Sequence, residues 1–378
     1  MSALVAPLPV CLFLPASRMA QSEMPFEKYN SPATRARNIH EAIARSLPCA
    51  QVEVVHVAAP SAPSLALASV AHEVAYLEFL ETGFASWAAQ DHRDPDFFGP
   101  GTEEHDVPSL VLGNASNRDA SARAGSSACA RAAFYLTDKQ TPLFASLAQS
   151  LSADLAVVAA ALAALQACAV KQTPACVYAL TTHPGHHASA AGAAGYCYVN
   201  YAAVFARSAL SFLEEGRQKV AVIDVDYHCG NGTVGIFWDE PNVLVCSIHA
   251  DPEIEYPYTS GFADQSGGTA ARGATLCLPL APGATWARDY AKALSTCVEH
   301  VKLHTAQLLV VSLGVDTMAR DPVAVPGAGF DIQLEDYLKI GAALRECGLP
   351  TVFIQEGGYD LDRVGDAVAN TLKGFCHG

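Results

Sequence analysis

The strongest constraint on the fold of this chain is a series of short apolar runs that do not alternate with polar residues. These runs are rich in β-branched residues and lie at Val52–Val57, Cys176–Thr181, Lys219–Val225, Val243–Ile248, Gln307–Leu313 and Thr351–Gln355. Strands that are buried on both faces of a parallel sheet have this non-alternating character. The earlier segment Val10–Leu14 is predicted to be a first strand, because neighbouring prolines and the lack of a preceding basic residue are untypical of a signal peptide.

Helical stretches lie between these runs, at Ala33–Ser46, Val70–Glu81, Ser152–Val170, Ala202–Glu215, Ala287–His304 and Leu334–Glu346. This alternation predicts an α/β fold with an open, mostly parallel sheet and helices on both faces. No internal repeat or long polar linker divides the chain, so we expect a single domain over residues 1–378. Ala88–Arg131 and Asp251–Gly273 are rich in Gly, Pro, Ser and Asp, and are predicted to be long loops.

Composition narrows the class of function. With 38 acidic and 23 basic residues the formal charge is −15, which argues against binding to nucleic acid. The most apolar run, Leu155–Leu165, is too short to cross a bilayer, so no membrane span is expected. The twelve cysteines are scattered and form no CxxC pair, which favours free thiols in a reducing, cytoplasmic compartment.

Polar motifs follow several of the predicted strands, at the point where each strand ends. They are His183-Pro184-Gly185-His186-His187, Asp224-Val225-Asp226-Tyr227-His228, Ser312-Leu313-Gly314-Val315-Asp316 and Glu356-Gly357-Gly358-Tyr359. Ligands of open α/β sheets bind beyond the carboxyl ends of the strands. We therefore expect the four motifs to share one rim.

Together these side chains suit a metal site that activates water. Two carboxylates and an imidazole, from Asp226, His228 and Asp316, would leave a coordination position open. The histidine pair supplies bases, and the Tyr359 phenol can donate a hydrogen bond to a developing oxyanion. Each motif alone also has an ordinary explanation, such as a strand-end turn or a helix cap. Their joint occurrence predicts a metal-dependent hydrolase.

The ordered set of motifs resembles the histone deacetylase and acetylpolyamine amidohydrolase family, in its bacterial, class II-like branch. The resemblance runs from about Ser31 to Leu372. Its landmarks are His183–Ala188, Gly195-Tyr196-Cys197, Asp224–Thr233, Ser312–Asp316 and Glu356–Asp360. It implies an arginase/deacetylase-like fold and a zinc-dependent hydrolysis of an N-acyl, most simply an N-acetyl, amide to a carboxylate and an amine.

The resemblance also implies roles for individual residues. One Zn²⁺ per chain would be held by Asp226, His228 and Asp316, with His187 as the base and His186 as its electrostatic partner and acid. Tyr359 would donate to the oxyanion. Asp224 would orient His186 and Asn231 would stand behind His187, where relatives place aspartate. Asp224 and Ser247 match a structural K⁺ site, and Tyr196, Tyr258, Gly195 and Gly357 match the substrate tunnel.

Two departures from the pattern concern the site. Cys229 replaces a usual histidine, and Thr182-His183 precedes the Pro-Gly turn where relatives usually carry Arg-Pro. In the long loop, Glu103, Glu104 and Asp106 are candidate acids for a cationic substrate, but no glutamate clearly matches that of the polyamine enzymes.

The substrate therefore stays open between a polyamine, a lysine side chain and another small amide, including xenobiotic ones. A binuclear manganese ureohydrolase and a non-catalytic binding protein remain rival interpretations. The long loop favours a homodimer or a higher homo-oligomer.

Overall fold

The computed structural model describes residues 8–16, 32–48, 52–89, 127–138, 140–171, 175–216 and 218–377. Within them, one sheet of eight strands contains β1 (Val10–Pro15), β2 (Val52–Val57), β3 (Cys176–Ala179), β4 (Val220–Asp224), β5 (Val243–Ala250), β6 (Thr275–Leu280), β7 (Leu308–Leu313) and β8 (Thr351–Gln355). The strand order is β2-β1-β3-β8-β7-β4-β5-β6, and every pairing is parallel. The predicted open parallel sheet is confirmed.

Helices cover both faces of this sheet. The described helices are α1 (Pro32–Ser46), α2 (Val74–Ala88), α3 (Ala128–Tyr135), α4 (Leu147–Lys171), α5 (Tyr201–Leu210), α6 (Asn231–Ile236), α7 (Ala291–His304), α8 (Asp336–Arg345) and α9 (Val364–His377). Successive residues of β4 point to opposite faces, so Val222 belongs to the hydrophobic cluster that contains residues of α4 and α5, whereas Ile223 belongs to the one that contains residues of α7 and α9. The sheet thus separates two hydrophobic cores.

Several elements differ from the sequence prediction. β6 was not predicted, because it is an edge strand that pairs only with β5, is partly buried and contains Pro279. α9 was also not predicted, although its apolar face is buried. α2 begins at Val74 rather than Val70, since Ala66–Val70 forms a short 3₁₀ helix. α3 occupies the end of the segment predicted as a loop.

Helix α4 bears on the predicted lack of a membrane span. Its stretch Leu147–Cys168 is long and apolar enough to cross a membrane by length and composition, so the expectation drawn from the shorter run Leu155–Leu165 was too narrow. Half of its most apolar window is buried inside the fold, and the helix packs on β1, β3 and α5. A core helix of a globular protein has the same composition, so this stretch is weak evidence for a span.

The remaining expectations concern loops and cysteines. Asp251–Gly273 contains turns but no helix or strand, as predicted. Most of the other predicted loop, including Glu103, Glu104 and Asp106, lies outside the described residues. The ten cysteines whose side chains the structure describes are all free thiols.

Candidate active site

The four polar motifs lie at neighbouring strands in the middle of the sheet. β3, β8, β7 and β4 are adjacent in that order, and each leads at its carboxyl end into one motif. Parallel strands present their carboxyl ends at the same edge. The structure therefore brings the motifs to one rim, as the sequence predicted.

Asp226, His228 and Asp316 form a buried cluster at this rim. One potential ligand atom from each lies within 4.8 Å of the other two. His228 Nδ1 is 3.3 Å from Asp226 Oδ1 and 3.3 Å from Asp316 Oδ2. The Oδ2 atom of Asp316 is buried but makes no hydrogen bond. Buried polar atoms seldom lack a partner, so this oxygen has a free position that a cation would fill.

The electrostatics of the cluster also favour a cation. Burial alone would lower the pKa of His228, but its contacts with Asp226 and Asp316 raise that pKa to about 10. Burial, together with the Asp226 charge, raises the pKa of Asp316 to about 6. The two carboxylates therefore draw positive charge into a buried site, and a metal ion would supply it in place of a proton.

Two glycines lie directly against these carboxylates. A Cβ atom added at Gly314 would come within 2.0 Å of Asp226 Oδ2. One added at Gly357 would lie 2.6 Å from Asp226 Oδ2 and 2.6 Å from Asp316 Oδ2. The Gly357 N–H also donates to Asp226 Oδ2 over 2.9 Å. Any side chain at either position would push the cluster apart.

The histidine pair lies beside the cluster, with ring centroids 4.0 Å apart. Both rings are buried, but their Nδ1 atoms have different partners. His186 Nδ1 is 2.9 Å from Asp224 Oδ2, whereas His187 Nδ1 is 2.7 Å from Asn231 Oδ1. One histidine is thus backed by a carboxylate and the other by a neutral amide.

Because of this difference, the pKa values of the two rings shift in opposite directions. Burial opposes the charge on His186, but the carboxylates of Asp226 and Asp224 outweigh it and hold the pKa of His186 well above its usual range. Burial, followed by the charges of His186 and His228, holds the pKa of His187 well below its usual range. The protonated form is therefore favoured at His186 and the neutral form at His187. Because the Asn231 oxygen faces His187 Nδ1, a proton on Nδ1 would leave the lone pair on Nε2.

Tyr359 and Tyr196 pack near one another at the site. Their ring centroids are 6.0 Å apart, and the Arg35 guanidinium lies 5.9 Å from the centroid of Tyr359. Gly195 and Tyr196 both have left-handed backbone, with φ of 56° and 65°. A Cβ atom at Gly195 would lie 2.2 Å from His187 Cδ2, so only glycine allows this approach.

Tyr256 belongs to the site, although the sequence singled out its neighbour Tyr258. The Tyr256 ring packs edge-on against His187, with centroids 4.8 Å apart. The ring centroid of Tyr258 is 6.3 Å from that of Tyr256, and Tyr258 is 53% exposed. The Asp138 carboxylate accepts hydrogen bonds from the Gly195 N–H and the Tyr256 hydroxyl, and so connects the two walls. Only the three-dimensional contact with His187 distinguishes Tyr256 from Tyr258.

Asp224 and Ser247 are register partners on β4 and β5, which places the two residues expected at a K⁺ site side by side. Both side chains already have partners within the fold. Asp224 Oδ1 accepts from the Asp226 N–H over 3.1 Å, and Ser247 Oγ is 2.8 Å from His249 Nδ1. Binding of K⁺ here stays a prediction.

The fold and the site together define an open α/β protein with a buried carboxylate and imidazole cluster facing two histidines and a phenol. Comparison with known proteins places the chain within that class. The model of the histone deacetylase domain matches residues 29–375. The chain belongs to the histone deacetylase family, whose members are hydrolases that act on amide bonds.

The similar relatives include bacterial acetylpolyamine amidohydrolases. Acetylpolyamine amidohydrolase 1 of Pseudomonas aeruginosa is 35% identical over 310 residues, which cover 80% of this chain and 81% of that relative. Acetylpolyamine amidohydrolase 2 of the same organism is 43% identical, but over only 53% of this chain and 56% of its own length. The crystal structure of acetylpolyamine aminohydrolase from Burkholderia pseudomallei superposes with a TM-score of 0.79 and 27% identity, covering 97% of this chain and 98% of that one.

Proposed function

We propose that this protein is a zinc-dependent amidohydrolase that removes an acetyl group from an acetylated amine. The products are a carboxylate and a free amine. The observation that carries the proposal is a pair of buried histidines, one backed at Nδ1 by a carboxylate and the other by an amide oxygen, beside a buried Asp-His-Asp cluster. Family membership and the names of the similar relatives support the same reaction class.

The residues of the cluster fit zinc. Asp226, His228 and Asp316 offer two carboxylates and one imidazole, which are common ligands of catalytic zinc, and three protein ligands leave one coordination position open. The Oδ2 of Asp316 makes no hydrogen bond, so it has a lone pair available for an ion. When bound, zinc polarises a carbonyl and lowers the pKa of water towards about 7.

His187 acts as the general base. Its Nδ1–H is held by Asn231 Oδ1, so the free lone pair is on Nε2. The lowered pKa of His187 keeps this nitrogen unprotonated at neutral pH. It can therefore take a proton from water as the water attacks the amide carbonyl.

His186 supplies the proton that the leaving amine needs. It is held by Asp224 Oδ2 at Nδ1, and its Nε2 is 3.6 Å from Asp226 Oδ1. These two carboxylates stabilise the imidazolium form. The C–N bond then breaks with transfer of a proton to nitrogen, which releases a neutral amine.

Tyr359 donates a hydrogen bond to the oxyanion that forms on the carbonyl. Burial raises the pKa of Tyr359 well above its usual range, and the nearby Arg35 only partly offsets this effect. The phenol therefore stays protonated and remains a donor. Its backbone N–H donates to Asp321 Oδ2 over 2.9 Å, which fixes the residue after the double glycine.

The substrate is a small-molecule amide whose acyl end passes between aromatic walls. Tyr196 and Tyr256 supply these walls at the histidine pair, and Tyr258 extends them towards solvent. Structural K⁺ at Asp224 and Ser247, a homo-oligomeric assembly and a cytoplasmic location complete the proposal.

A panel of substrates tests this function. Zinc-loaded protein is assayed for acetate release from N-acetylputrescine, an acetyl-lysine peptide and acetanilide, with and without a chelator. We expect release from at least one compound, loss of that release with chelator, and loss in His187→Ala. His304→Ala is the matched control. His304 ends α7 and lies near Asn242, the residue before β5, so it is at the edge of the sheet opposite to the site. No release from any compound by protein that holds one zinc per chain would contradict the proposal.

A further inference from the structure

Glu356 is a buried carboxylate at the centre of the rim to which the proposed reaction gives no role. It directly follows β8 and has no exposed surface. Its Oε2 accepts hydrogen bonds from two successive backbone N–H groups, those of Gly185 at 2.6 Å and His186 at 3.1 Å. Its Oε1 accepts from the Ser312 hydroxyl at 3.1 Å. All three contacts reach across to other strand ends.

The backbone that Glu356 holds is the turn that carries the histidine pair. On its other side this turn packs against the chain before α5, since a Cβ atom at Gly185 would lie 2.6 Å from the Val199 carbonyl oxygen. The turn is therefore fixed between the Glu356 carboxylate and the Val199 backbone. The positions of the His186 and His187 rings depend on this turn.

We propose that Glu356 is a positioning residue, whose carboxylate fixes the Gly185–His186 turn and so sets where the histidine pair meets the substrate. The inference rests on the proposed function, because it assigns the pair a reaction to perform. Removal of the carboxylate leaves two buried N–H groups without partners, and such groups disfavour the conformation that buries them. A displacement of about 1 Å in a catalytic group can reduce the rate by about 10²-fold.

For a positioning role, the length of the residue 356 side chain and its accepting oxygen matter more than its charge. In Glu356→Gln the amide oxygen can accept both N–H bonds, and the amide N–H can donate to Ser312 Oγ. In Glu356→Asp the charge is kept, but the carboxylate is one methylene too short to reach the turn. If the residue acted by its charge, the order of the two variants would be reversed.

We therefore expect Glu356→Gln to keep kcat near that of the wild type and Glu356→Asp to lose about 10²-fold in kcat. KM should change little in both, because the aromatic walls are untouched. Ser312→Ala is the matched control: it removes the contact at Oε1 and leaves those at Oε2, so its kcat should stay close to wild type. Zinc content by elemental analysis and circular dichroism report on the folded, loaded site independently of turnover.

The outcomes separate this inference from the proposed function. An active wild type with Glu356→Asp equal to or better than Glu356→Gln would overturn the positioning role alone. The same conclusion would follow if both variants fell equally while they kept their zinc and their fold. A wild type that released no acetate from any panel compound would overturn the proposed function, and this inference with it.

Discussion

Replacement of Asn231 by aspartate tests how the site divides protonation between its two histidines. Asn231 Oδ1 is the only atom that the structure pairs with His187 Nδ1 among the described residues, at 2.7 Å. Asn231→Asp keeps the shape of the side chain and adds a negative charge. The variant should raise the pKa of His187, and so protonate the base at a pH where the wild type is active.

The size of the effect follows from the short contact. Opposite charges with centres about 4 Å apart attract by about 4 kcal/mol at an effective dielectric constant of about 20. Since one pKa unit corresponds to about 1.4 kcal/mol, the upper limit is a rise of about 3 units. Burial of the new carboxylate opposes the change, and a close opposite charge generally shifts a pKa by about 1–3 units.

The assay is the pH dependence of kcat/KM on the best substrate of the panel. The acid limb of this profile is the range in which activity falls as pH decreases. In the wild type its midpoint should lie below the usual pKa of histidine, because the pKa of His187 is lowered. In Asn231→Asp the midpoint of that limb should move up by about 1–3 pH units while activity at pH 8 changes less. Asn231→Ala is the control: it removes the acceptor, which itself raises the pKa of His187, and adds no charge, so activity should fall and the limb should not move up. An unmoved limb in an active Asn231→Asp enzyme would refute the assignment of His187 as the base.

Two further predictions concern the oxyanion donor and the stability of the fold. Tyr359→Phe should reduce kcat by about 10²–10³-fold and keep its zinc, as measured by steady-state kinetics and elemental analysis; near-normal turnover would exclude the role. His72 is buried, lies 2.9 Å from the Ser189 carbonyl and accepts from the Asn200 N–H at 2.9 Å, and burial lowers its pKa to about 4. Because the unfolded chain binds a proton near pH 6.5, the free energy of unfolding should fall as pH decreases from about 6.5 to 4, by up to about 1.4 kcal/mol per unit. Urea denaturation at a series of pH values across that range would measure this fall. If the free energy of unfolding depended on pH as steeply in His72→Gln as in the wild type, the prediction would be contradicted.

The sequence was sufficient to predict the parts of the fold that are buried on both faces. β4, β7 and β8 are continuous apolar runs, so their position and their parallel pairing could be inferred. β6 could not, because an edge strand is only partly covered and its proline breaks the pattern. The α9 helix was missed, although its apolar residues form one buried face.

In the candidate site, the sequence predicted the residues that belong to motifs. The cluster of Asp226, His228 and Asp316 could be inferred because each residue follows a central strand. Tyr256 and Asp138 were missed, since their relation to His187 and Gly195 arises only when distant loops fold together. The hydrogen bonds of Glu356 with a turn 170 residues away likewise have no local signal in the sequence.

The metal content of the purified protein tests the central claim most directly. Elemental analysis of protein that has been stripped and reloaded with zinc should give one zinc per chain, and anomalous scattering from its crystals should place that zinc between Asp226, His228 and Asp316. Asp316→Ala should bind zinc far more weakly. A stoichiometry of two metal ions per chain, or a single zinc bound elsewhere while acetate release persists, would contradict the account.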